Sequence, residues 1–366
     1  MPTIAEIAAW MESIAPPARA AAWDNVGLLL GDPASPVERI LTCLTLTPAV
    51  ADEASRDGVQ LIVTHHPILF KGVKRLTTDT PEGRSLLGLA RAGVAVYSPH
   101  TAYDDAAGGI NDRLAELLGL VEVRPLRGHD LRECKIVVFV PESDLHTVAN
   151  AMFAAGAGVI GEYDQCSYRL LGTGTFRGSA ASNPTIGQPG QFEQVQEYRL
   201  EMVCPESAVS AVVRAMRAAH SYEEPAFDVY PLVPQRHRGG TGRIGRLATP
   251  TPLGQLARAV RQALGAGPVA YVGAADRPIS RVAIGCGAAD ELLTDAIQAQ
   301  ADCFLTGELR FHYALAAEQA GVAVVVTGHY ASERHGIEAL AQRLAHAFPS
   351  VRVAASASER DPFAWV

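Results

Sequence analysis

Hydrophobic positions fall along this chain in short unbroken runs separated by stretches with helical spacing. The runs at 61–63, 93–97 and 282–284 and the fullest one, VAVVVT at 322–327, show no polar alternation, so each reads as a strand buried on both faces. RILTC and DCFLT, near 39–46 and 302–306, complete the set. Between the runs, helices are expected over 49–58, 82–92 and ELLTDAIQAQ, and Ile337, Leu340, Leu344 and Phe348 continue one more stripe. Strands alternating with helices at this length predict βαβ units and largely parallel sheets.

The pattern changes between 129 and 234. KIVVFV reads as a strand and DLHTVANAMFAAGAG as a helix ending in glycine, and a Gly/Ser/Pro-rich stretch fills 172–190. EYRLEMVC and ESAVSAVVRAMRAAH then repeat the strand-helix order, close to a ferredoxin-like α+β module. The chain therefore divides into an N-terminal α/β lobe (1–128), an inserted α+β module (129–234) and, after the polar QRHRGG linker, a C-terminal α/β lobe (235–366). His220, Tyr222, Glu223 and Glu224 in the module suit either a binding loop or an ordinary connection.

Composition narrows the partners. A net charge of -8, a pI near 5.8 and the lack of a Lys/Arg cluster disfavour nucleic acid. The opening MPTIAEIAAWMESIA has no basic leader and reads as a helix with Thr3 and Glu6 at capping-box spacing. No apolar run approaches the roughly 20 residues that cross a bilayer, so a cytoplasmic protein without a membrane segment is expected. The six cysteines form no CxxC pair and read as buried free thiols.

Candidate chemistry sits at the strand exits, where open α/β sheets bind ligands. LIVTHHP delivers His65 and His66 just before Pro67 stops the strand. Adjacent residues of a strand point to opposite faces, so these imidazoles suit two ions better than one. A second exit holds His100 and Asp104, and the last one His329 and Glu333, with Ser332 a plausible helix N-cap. Each residue alone also suits a hydrogen-bonded histidine, a turn aspartate or a helix-dipole glutamate. Together they form an all nitrogen and oxygen set that suits zinc, iron, manganese or nickel. Asp24-Asn25 and Gly27 read as a turn. The likeness of IVTHHP to VVTGHY hints at two related halves.

The strings DNVGLLLG, VTHHPILF, SPHTAYD with GGIND, LTGE and GHYASE, in this order, resemble the NIF-three-like dinuclear-metal family, also called GTP cyclohydrolase I type 2 homologues. AGAGVIGEYDQCSYRLLGTGTF, NPTIGQPG and HSYEEPAFDVYPL are similar to the PII-like insert of its longer members. The resemblance implies two related α/β lobes enclosing two divalent metal ions per chain, of zinc, iron or manganese. It places the ligands on His65, His66, Asp104, His329 and Glu333, with Glu333 bridging, and makes His100, Glu308 and His312 the proton-transfer or supporting residues. It further implies a homohexamer and a metal-dependent hydrolase acting on a purine nucleotide such as GTP or another small substrate. The alternative is a non-catalytic metal-handling or metal-delivery hexamer whose insert senses a small molecule. The chain departs from the family's common pattern at Thr45, Glu308 and Ser221, where aspartate, aspartate and proline are usual, and doubles the aspartate at 104–105. It also lacks a GxxxxGK[ST] phosphate loop.

Overall fold

A computed structural model describes residues 1–131, 133–161, 163–233 and 235–364. The chain forms two compact units, Met1–His129 with Arg238–Val366, and Asp130–His237. The fold class is mixed α/β, with three sheets among the described residues.

The first unit carries two of them. One runs in the order Gly27–Leu30, Ala95–Ser98, Leu61–Thr64, Arg39–Cys43, Arg352–Ala355, parallel except at the Gly27–Leu30 edge. The other runs Ala270–Val272, Ala323–Val326, Cys303–Glu308, Pro278–Ala288, Gln235–Pro252, Val121–Leu131, with a parallel centre. Every residue of Leu61–Thr64 and Ala95–Ser98 is buried, as an uninterrupted apolar run requires. Arg352–Ala355 returns to the first sheet beside Arg39–Cys43, so the C-terminal stretch feeds both sheets. The helix His329–Ala347 buries Ile337, Leu340 and Leu344 against Ile4, Ile7, Met11 and Tyr97.

Local chemistry sets the ends. Thr3 and Glu6 form the reciprocal cap of the helix Ile4–Ile14: the Thr3 N–H donates to Glu6 Oε2 at 2.7 Å and the Glu6 N–H to Thr3 Oγ1 at 3.3 Å. Ser332 does not cap its helix. The turn begins at His329, because Gly328 at φ 90° lets the chain leave the strand directly, and Ser332 is buried within it.

The second unit is a four-stranded sheet in the order Tyr168–Arg177, Phe192–Pro205, Glu133–Pro141, Phe227–Pro231, with every neighbour antiparallel. Helices Leu145–Ala154 and Val209–Ala219 share its core, where Ile136, Val138, Leu200 and Met202 meet Val148, Met152, Val212 and Met216. The element order is βαββαβ. Residues 172–177 of the glycine-rich stretch are strand. They lie on a largely exposed edge, where no buried face imposes an apolar pattern. Among the described residues, no helix is long and apolar enough to cross a membrane. All six cysteines are free, and only Cys166 is not buried.

Candidate metal centre

The first unit gathers its histidines and carboxylates at the carboxyl ends of its parallel strands. The strand Leu61–Thr64 extends its ladder two residues further: the His65 N–H donates to Cys43 O at 2.9 Å and the His66 N–H to Leu44 O at 2.8 Å. Both backbones are therefore fixed while the imidazoles diverge, their ring centroids 5.2 Å apart. On the helix His329–Ala347, His329 and Glu333 stand four apart and share a face.

Glu333 is the meeting point. Its Oε2 lies 3.2 Å from His66 Nε2 and 3.1 Å from His329 Nε2, and those two nitrogens are 3.3 Å apart. Gly287, at φ 61°, makes this possible, since a Cβ there would come within 2.2 Å of Glu333 Oε1. On the other side, His65 Nε2 is 3.5 Å from Asp104 Oδ1, which also accepts from the Cys286 thiol at 3.3 Å. Two groups result, each with atoms close enough to hold a cation: His65, His66 and His100, and His66, His329 and Glu333. They share His66.

Three of the histidines have their other ring nitrogen occupied by an orienting group. His66 Nδ1 meets Thr45 Oγ1 at 2.7 Å, His329 Nδ1 meets Glu308 Oε1 at 2.9 Å, and His100 Nδ1 meets Asp24 Oδ1 at 2.7 Å. In each case this leaves Nε2 for the cluster, the arrangement that outer partners impose on metal-binding imidazoles. Asp24 also accepts from the Thr101 N–H at 3.2 Å and from its hydroxyl.

Electrostatics follow from burial and pairing. Burial drives His65 well below its ordinary pKa; burial, then Glu333, drives Asp104 well above its own. Burial also pushes the Glu333 carboxyl up, but His329 and His66 outweigh it and hold the group ionised. Glu333, against the opposing effect of burial, raises His329 to about 9. Asp24 is held at about 2: burial opposes this, and His100 and Thr101 prevail.

Both His65 nitrogens and Glu333 Oε2 are buried without a hydrogen bond. Orphaned buried polar atoms are costly, and here they converge. An all nitrogen and oxygen donor set with these vacant lone pairs fits a borderline divalent cation. Two cavities adjoin the cluster. One of about 570 Å³ is lined by Trp23, His100, Asp104 and Glu333; the other, about 870 Å³, by Thr45, Glu308, Tyr330 and Glu359. His66 and His329 face both.

Over residues 2–362 the chain matches the family described as Duf34/NIF3 (NGG1p interacting factor 3). A Mycobacterium tuberculosis relative named "GTP cyclohydrolase 1 type 2 homolog" is 40% identical, across 90% of this chain and 88% of its own. The chain belongs to the DUF34/NIF3 family. A Bacillus subtilis relative of the same name is 38% identical over 88% of this chain and 87% of its own. A solved Bacillus cereus protein related to NIF3 is 35% identical with a TM-score of 0.77, covering 100% of this chain and 99% of its own. Staphylococcus aureus SA1388 gives 26% and 0.79, with the same coverage.

In this DUF34/NIF3 chain, the structure brings together His65, His66, His100, Asp104, His329 and Glu333, with Glu308 against His329. His312 stays apart: it is exposed on the helix Phe311–Gln319, its ring 5.6 Å from that of Phe311, and no contact with the cluster occurs among the described residues. Sequence reasoning treated Asp24 as a turn residue. Its role shows only once the turn is folded against His100, and the string DNVGLLLG was the available signal. Cys286 is a buried free thiol as expected, and in addition it donates to Asp104. Both departures at Thr45 and Glu308 keep a group able to bond an imidazole Nδ1.

Proposed function

We propose that this DUF34/NIF3 protein is a metal-dependent hydrolase acting on a purine nucleotide or another small substrate. His65, His66, Asp104, His329 and Glu333 would hold two divalent cations, with Glu333 shared. The single observation that carries the reading is the convergence of buried, unsatisfied His65 and Glu333 atoms on one cluster. Cations bound there would supply Lewis acidity toward a substrate oxygen and favour ionisation of water.

The chain's own residues would bind, orient and move protons. His100, fixed through Nδ1 by Asp24, presents its other nitrogen as a proton carrier. Trp23 and Phe70 stand edge to face, centroids 5.8 Å apart, and flank His100 at 6.1 and 6.4 Å. At 63% and 45% exposed, they offer faces on which a planar base can stack. Lys71, Lys74 and Arg75 follow on the same exposed segment and offer cations to phosphate groups. The relatives' name, GTP cyclohydrolase 1 type 2 homolog, supports a purine nucleotide.

The test loads purified protein with zinc, iron or manganese and follows GTP absorbance. Ring opening that requires metal and disappears in Glu333→Ala supports the reading. No turnover with any metal, together with transfer of metal to an acceptor, would assign the chain to metal handling instead. A cytoplasmic homohexamer with a PII-like second unit completes the proposal. The βαββαβ order supports that module, and the solution mass tests the assembly.

A further inference from the structure

The second unit contains a cavity of about 560 Å³, within the range of small-molecule sites. It is built with care. The strand Tyr168–Arg177 contributes Gly172 and Gly174, and Gly172 pairs with Glu197 on the neighbouring strand. The Glu197 side chain leans over Gly174, where a Cβ would come within 2.0 Å of its Oε2. Glu197 is only 8% exposed, yet among the described residues it has no ion pair. Of the other lining charges, Arg199 Nε donates to Glu201 Oε1 at 2.7 Å, Glu224 Oε2 accepts from Arg217 Nη1 at 3.1 Å, Glu223 Oε2 accepts from the Asn183 N–H at 3.1 Å, and Arg177 is exposed at the end of its strand. A buried carboxylate in a largely apolar cavity, with no ion pair to the lining Arg177 or Arg199 among the described residues, lacks its counterpart.

Two loops are stapled around it. Buried His220 accepts from the Tyr222 N–H through Nδ1 at 3.0 Å, so its Nε2 carries the proton donated to Phe139 O at 3.0 Å. This pins Tyr222 in the wall. The Tyr222 hydroxyl is sealed from solvent without a well-formed hydrogen bond, and burial, then Glu197, keeps it protonated. Opposite, Thr185 Oγ1 donates to Ser221 O at 2.6 Å and holds the 178–191 loop over the opening. Phe139, Phe176 and Ile186 supply apolar walls.

We infer that this cavity binds a small flat ligand presenting two adjacent N–H donors, as in an amidine, guanidine or amino-lactam edge, to the Glu197 carboxylate. The pairing is the bidentate one that carboxylates make with such edges. The phenol of Tyr222 supplies a donor for an acceptor beside them. The inference is independent of the metal reading, because none of its residues belongs to the metal cluster.

The test is a ligand-detected NMR titration of the full chain in EDTA, using benzamidine for a charged donor edge, guanosine for a neutral one, and benzoate as control. At least one of the first two binds, and Glu197→Gln weakens it tenfold or more. Gly174→Ala, which displaces the same carboxylate, does likewise, and Tyr222→Phe weakens binding about threefold without moving the melting temperature. Failure of both probes to bind, equal binding of benzoate, or indifference to both Glu197→Gln and Gly174→Ala would overturn the inference.

Discussion

In both sheets of the first unit, an antiparallel edge strand precedes three parallel ones: Gly27–Leu30, Ala95–Ser98, Leu61–Thr64 and Arg39–Cys43 in one, Ala270–Val272, Ala323–Val326, Cys303–Glu308 and Pro278–Ala288 in the other. Thr64 and Thr306 hold the same place. The hydroxyl of Thr64 reaches His66 O at 3.1 Å and Leu44 O at 3.4 Å; that of Thr306 reaches Glu308 O at 3.2 Å and Gly287 O at 3.3 Å. His65-His66 therefore corresponds to Gly307-Glu308, and His100 with Asp104 to His329 with Glu333. The likeness of IVTHHP to VVTGHY joined strands that are neighbours in this scheme, not equivalents.

The difference between the halves explains the centre's lopsided donor set. At Gly307 a Cβ would lie 2.5 Å from Ser332 Oγ and 2.6 Å from Gly287 O, so the second sheet has no room for a counterpart of His65. The imidazoles His100 and His329 are each steadied at Nδ1 by a carboxylate, but from unrelated places. Asp24 comes from the loop before the edge strand with its side chain 0% exposed, and Glu308 from a strand exit with its own 55% exposed. Equivalent frames have thus been equipped by different segments.

Breaking the shared residue should have the largest effect. Glu333→Ala removes the carboxylate shared by both sites and should leave no bound divalent metal, whereas His65→Ala should leave about one ion per chain, as counted by elemental analysis. Forcing the second sheet to resemble the first comes next: Gly307→Ala should destabilise the protein by about 1–3 kcal/mol in denaturant unfolding, because backbone and Ser332 must yield.

Removing the steadying carboxylates should sharpen the contrast between halves. Asp24→Asn, which frees the proton carrier His100, should lower metal-dependent turnover about 10- to 100-fold with metal content unchanged, whereas Glu308→Gln should weaken metal binding by a few-fold in chelator competition, since solvent already competes for the exposed group. Acid should single out the same buried group. The Asp24 carboxyl is lowered from 3.8 to about 2, so its contribution to stability is present above pH 3.8 and fades as pH falls toward 2. Metal-free Asp24→Asn should therefore show a shallower loss of stability over that window. Smallest of all, Thr45→Val should weaken metal binding about threefold by freeing His66 Nδ1.

Much of this contrast was legible before folding. Unbroken apolar runs marked the central strands, and the strand-exit rule brought His65, His66, Asp104, His329 and Glu333 into view. Other features were hidden because their signals are tertiary. Asp24 has the chemistry of a turn until His100 and Thr101 close on it, and Ser332 looks like a cap until Gly328 starts the helix earlier. His312 shared a stretch with Glu308 but faces outward on its helix. The exposed strand at 172–177 had no buried face to write into the sequence.

The central claim is that two cation sites share the Glu333 carboxylate. Its most direct test is the metal content per chain of untagged protein after equilibration with zinc, iron or manganese and removal of free metal. The account predicts two ions per chain for the native protein, lost in Glu333→Ala; a native protein that retains none, or whose metal survives unchanged in that variant, would contradict it.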